Sequence, residues 1–158
     1  MKKPLLATLA IAAVAAYFLE ESFAPDGADT SHTPAAASPQ TPASGTAAGA
    51  ALLERAFAER RSNVQVEAGG VVVKTLADDN QGSRHQRFII ELATGQTVLV
   101  AHNIDLAGRI DSLRTGDVVS FNGEYEWNDK GGVIHWTHRD PRGTHPAGWI
   151  RHSGRTYH

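Results

Sequence analysis

Apolar positions along this chain change period several times, and each change marks an element. Leu5 to Leu19 (LLATLAIAAVAAYFL) is an unbroken apolar run behind Met1-Lys2-Lys3-Pro4 and ahead of Glu20-Glu21. As a helix it spans ~22 Å, less than the ~30 Å bilayer core, with the length and basic flank of a secretory leader. Ala24 to Ala50 shows no apolar period and holds four of the seven prolines among Ala, Ser, Thr and Gly, so it reads as a flexible tether. From Ala50 to Arg61, Leu52, Leu53, Ala56 and Phe57 recur at helical spacing and predict a short amphipathic helix.

Period two then takes over. Val64 to Leu76 is a long β-branched strand with a bend or bulge expected at Gly69-Gly70. After the turn Asp78-Asp79-Asn80-Gln81-Gly82, Arg84 to Leu92 alternates with Phe88, Ile90 and Leu92 on one face and His85, Arg87, Ile89 and Glu91 on the other. Gln96 to His102, Asp117 to Trp127 and Gly132 to His138 complete five strands, the last two joined by a turn at Asn128 to Gly131. Between the third and fourth, Leu106, Ile110 and Leu113 fall on one helical stripe. Asp105 is placed as an N-cap and Gly116 just past the C-terminus, so a helix is expected there.

This order resembles the OB barrel: mostly β, five strands, with a helix between strands three and four, here preceded by the amphipathic helix. An open five-stranded α+β sheet is the alternative. Residues 1–23 are expected to be a signal peptide or membrane anchor, 24–50 a linker, and 51–158 the globular domain. Ser22-Phe23-Ala24 offers small residues for cleavage and Pro25 follows them, so removal and retention both stay open. Lys2 and Lys3 keep the N-terminus cytoplasmic. The sequence therefore predicts an extracytoplasmic, periplasmic domain, secreted or held at the inner membrane by residues 5–19.

Composition narrows the chemistry. The 158 residues carry a net charge of −2, and from Ala51 onward thirteen Lys or Arg balance thirteen Asp or Glu, so the domain is no polycation. The absence of cysteine excludes disulfides, thiolate zinc sites and a thiol nucleophile. No phosphate-binding glycine loop or nucleophile elbow is present.

What remains is histidine. His85, His102, His135, His138, His145, His152 and His158 lie in the folded part, six of them ahead of the terminal residue. They sit in or near the phrases Arg84-His-Gln-Arg-Phe88, His102-Asn-Ile-Asp105 and His135-Trp-Thr-His138. On these phrases the chain resembles a family of small secreted bacterial proteins, a domain of unknown function in which they recur in this order. The resemblance implies one domain in a secreted setting and assigns no catalytic residue.

Three readings of the residues compete. The first is phosphodiester hydrolysis. His85, His102 and His135 transfer protons, while Arg84, Arg87, Asn103, Arg109, Trp127 and His138 contact a polyanion such as nucleic acid. The second is a divalent metal held by histidines with Asp105, Glu124 or Asp140. The third is a non-catalytic OB-type module for single-stranded nucleic acid or oligosaccharide, with Tyr125, Trp127, Trp136 and Trp149 as platforms. Trp136, in register with Ile134, is expected to close the barrel. Glu124 and Glu126 read as one solvated strand face, and Arg139 to His158 as a basic tail in which His152 and His158 are solvated.

Overall fold

The computed structural model describes residues 44–158. The apolar run Leu5–Leu19, His32 and the tether up to residue 43 lie outside the described residues. Within them are one helix, α1 (Ser44–Ala58), and seven strands. These are β1 (Val64–Thr75), β2 (His85–Leu92), β3 (Thr97–Asn103), β4 (Val118–Glu126), β5 (Val133–His135), β6 (Trp149–His152) and β7 (Arg155–Tyr157). The helix begins six residues before the end of the expected linker, because Ala50, Leu53 and Ala56 bury one stripe in the core. Among the described residues no helix is long and apolar enough to cross a membrane.

Five strands close a barrel in the order β1-β2-β3-β5-β4 and back to β1. All neighbours are antiparallel except β3 and β5, which run parallel. The β1–β4 pairing excludes the open sheet and gives the OB-like arrangement expected from the strand order. Closure depends on the length of β1, whose residues Val64–Val71 pair with β4 and Gly70–Thr75 with β2. The handover falls at Gly70, where a Cβ would stand 2.3 Å from the Glu91 carbonyl oxygen. The bulge itself lies between Val72 and Lys74. Strand alternation sends Val72, Phe88, Ile90, Val100, Phe121 and Ile134 inward, all almost fully buried.

Three expectations are corrected. The first concerns residues 105–116, which form turns and no helix. Ile110 and Leu113 still enter the core, but Leu106 is exposed. The physical reason is competition for backbone groups. Buried Gln86 accepts from the Ile110 N–H at 2.9 Å and donates to the Ile110 carbonyl at 3.0 Å, standing in for a helical ladder. Gly108 adds a further cost of about 1 kcal/mol to any helix running through it.

The second concerns the last twenty residues. After the loop 139–148, β6 and β7 form a hairpin, and β6 lies antiparallel on the first half of β4 while β5 takes the second half. Ile150 is fully buried and His152 is 4% exposed, its Nε2 2.8 Å from Asp117 Oδ2, so His152 is no solvated tail group. His158 is exposed. The third concerns Trp136. Strand β5 stops at His135, and Trp136 takes a left-handed φ of 54°. That reversal breaks the alternation: Trp136 turns to the outside, half-buried, and Thr137 goes into the core.

Candidate functional site

The three histidine phrases interlock. Arg84 donates to Asp105 from both its backbone N–H (2.8 Å) and Nε (2.7 Å), which holds the Asp105 carboxyl below its usual range. Asn103 Oδ1 accepts the Asp105 N–H at 2.9 Å, an Asx turn. His102 is fully buried, with Nε2 3.2 Å from the Gly108 carbonyl and Nδ1 2.8 Å from Thr137 Oγ1. A carbonyl only accepts, so Nε2 carries the proton and Nδ1 accepts from the threonine hydroxyl. Burial lowers the pKa of His102 to about 4, and neither nitrogen is left for a substrate.

The other expected contacts are also engaged. Arg87 is buried and donates through Nε and Nη2 to the Ala77 carbonyl, at 3.1 and 2.9 Å. Arg109 forks onto Asp78 and reaches Asp111, and these carboxylates raise its pKa. Trp127 Nε1 donates to the Phe57 carbonyl of α1 at 3.1 Å, so its indole fastens the helix. His138 is 4% exposed with Nδ1 2.8 Å from the Arg139 carbonyl. Asp140 accepts four bonds from its own loop: the N–H groups of Arg142, Thr144 and His145 and the Thr144 hydroxyl. These hold its carboxyl far below the usual range, the Arg142 N–H first among them.

The site therefore lies elsewhere, on the outer face of β4 and β5. Register pairs Glu124 directly with His135 and Glu126 with Val133. Glu124, Glu126 and His135 point outward, yet their side chains are only 17%, 16% and 27% exposed. The His135 Nε2 atom is buried without a hydrogen-bond partner, 3.6 Å from Glu124 Oε1 and 3.9 Å from Glu126 Oε1. Burial lowers the His135 pKa against the opposing pull of the two carboxylates. One ligand atom from each of the three residues lies within 4.8 Å of the others, the spacing of a cation site.

A loop completes this cluster. The turn built on Asp140 delivers His145, whose Nε2 is 2.8 Å from Glu124 Oε2 and whose Nδ1 is 2.9 Å from the Pro146 carbonyl. Its ring stacks on Trp136 at 4.1 Å and 9°. Both His145 nitrogens thus face acceptor oxygens. His85 is half-buried at the start of β2, opposite Asn103 of β3. Beyond Glu124 on the same face, Asn122 pairs with Trp149 and Ser120 with Arg151, and the Arg151 guanidinium lies 4.0 Å over the Trp149 ring.

Of the expected proton-transfer groups, His135 lies in this cluster, His85 stands two strands away on β2 opposite Asn103, and His102 is inside the core. Sequence reasoning missed Glu126 and His145. The first was legible, since alternation puts Glu126 on the face of Glu124 and the turn at 128–131 sets Glu124 opposite His135. The second was not, because a loop carries it. A family model described as "Protein of unknown function (DUF3465)" matches residues 38–158. No curated protein matches the chain.

Proposed function

The chain belongs to this DUF3465 family of proteins of unknown function, and we propose that it binds and hydrolyses phosphodiester polyanions, nucleic acid foremost, on the outer face of its barrel. One observation carries the reading: Glu124, Glu126, His135 and His145 converge on a half-buried patch on the same face as the exposed Arg151 of the β6–β7 hairpin. Arg151 is placed to attract phosphates, and Trp149 to stack a base.

In the hydrolytic step, water loses its proton to the carboxylates and its oxygen bonds to phosphorus. The bond to the leaving oxygen breaks, and that oxygen takes a proton from His145. The N-terminal apolar run gives the activity an extracytoplasmic setting, tethered to or released from the inner membrane.

The Trp149–Arg151 stack also favours a second reading, a module that holds single strands without cutting them. Incubating the full chain with end-labelled single- and double-stranded DNA and RNA, with Mn2+, Zn2+, Mg2+ or EDTA, separates the two. The hydrolase cleaves, and His145→Asn and Glu126→Gln each lower the rate by roughly 100-fold or more. Intact strands in every lane, with retention in a gel-shift assay, establish the binding module instead.

A further inference from the structure

We propose that Glu124, Glu126 and His135 form a binding site for one divalent transition-metal ion of the Mn2+ or Zn2+ class. The ion's catalytic task rests on the hydrolase reading above; its binding does not.

The geometry is that of donors gathered for a shared centre. At 3.6 and 3.9 Å, the separations from His135 Nε2 to the two carboxylates are too long for hydrogen bonds. Ligands about 2.0–2.2 Å from one ion stand roughly 3.0–3.5 Å apart, so both separations from His135 are within a few tenths of an ångström of that spacing, and all three donor atoms already lie within 4.8 Å of one another. The second observation is the Nε2 atom itself, buried and unpartnered. A buried ring nitrogen without a partner forfeits its solvation, and an ion restores it. Glu124 is also held from behind, its Oε2 fixed by His145 at 2.8 Å, as outer partners orient carboxylate ligands.

Charge points the same way. Two half-buried carboxylates repel a phosphodiester and each other. The arginines expected to compensate are occupied: Arg84 with Asp105, Arg109 with Asp78 and Asp111, Arg87 with the Ala77 carbonyl. A divalent cation cancels both charges and gives the incoming phosphate and water a place to bind. The donor set selects the ion. One imidazole with two carboxylates suits Mn2+ or Zn2+ better than an all-oxygen Ca2+ cage, and three protein donors leave a position open for water.

Calorimetric titration of the metal-stripped full chain with Mn2+ and with Zn2+ near neutral pH tests the site. The expected result is one ion per chain, bound at least about tenfold more weakly by Glu126→Gln and by His135→Gln. The ion should also raise the thermal midpoint of the wild type and of neither variant. No saturable binding, or equal binding by wild type and both variants, overturns the site. Should a variant fail to fold, Mn2+ relaxation of the His135 ring resonances in the wild type decides, selective broadening supporting the site and unchanged lines refuting it. Cleavage that persists in EDTA, together with no saturable binding in the titration, defeats this site and leaves the hydrolase. An ion bound with all strands intact does the reverse.

Discussion

At the scale of single residues, His102 sets the acid response of the fold. Its imidazole is neutral in the native core, with a pKa of about 4, against an ordinary 6.5. Between those values the unfolded chain takes up a proton that the native chain refuses, so stability is complete above pH 6.5 and falls as the pH drops towards 4. The loss levels off at about 3 kcal/mol. Urea unfolding across this range should show it, and His102→Gln, whose amide keeps a donor and an acceptor, should lack that share of the slope. Parallel curves for wild type and variant would refute the assignment. Gly132 is a second residue of this kind: at φ 93° its Cβ would stand 2.1 Å from the Tyr125 ring. Gly132→Ala therefore disturbs the β4–β5 turn that sets Glu124 opposite His135, and it should lower stability and site integrity together.

Among elements, the connection from β3 to β4 shows how a strong helical stripe is overruled. Ile110 is buried as the periodicity requires, but its N–H and C=O are claimed by Gln86 before a helix can use them. Gln86→Leu keeps the volume and removes both partners, leaving two buried backbone groups unsatisfied. At about 1–3 kcal/mol each, the expected loss is roughly 2–6 kcal/mol, with faster hydrogen exchange at the Ile110 amide. Unchanged exchange there would show that the loop holds itself. The β4–β5 hairpin is the opposite case, since its register was legible from turn length alone and delivers Glu124 to His135.

For the whole molecule, the question is what the final hairpin contributes. β6 covers the free side of β4 from Val119 to Asn122 and buries Ile150, while Tyr157 is 9% exposed. A chain ending at Gly148 loses both side chains, about 4 kcal/mol of apolar burial, and four pairs of the ladder. Its thermal midpoint should fall by more than roughly 10 °C. An unchanged midpoint would return these residues to the role of an appended tail. The same truncation removes Trp149, Arg151 and Arg155, so nucleic-acid retention should fall with it.

Local patterning determined much of this protein. Period two placed the five barrel strands, β-branched density gave β1 its length, and the order of elements led to the OB-like barrel, because side-chain alternation and turn chemistry act between neighbours in the chain. The phrases around His85, His102 and His135 also announced where polar groups gather. Tertiary structure alone decided their tasks. His102 and Thr137 became core partners once Trp136 reversed the alternation, and Arg84, Arg87 and Arg109 were taken by Asp105, the Ala77 carbonyl and Asp78, ten to thirty-one positions away, Arg109 reaching nearby Asp111 as well. His145 joined Glu124 beside His135 only when a distant loop met the hairpin on one face. Periodicity is set by φ and ψ, residue by residue. Which polar group is buried, and what it binds there, depends on long-range partners that periodicity does not encode.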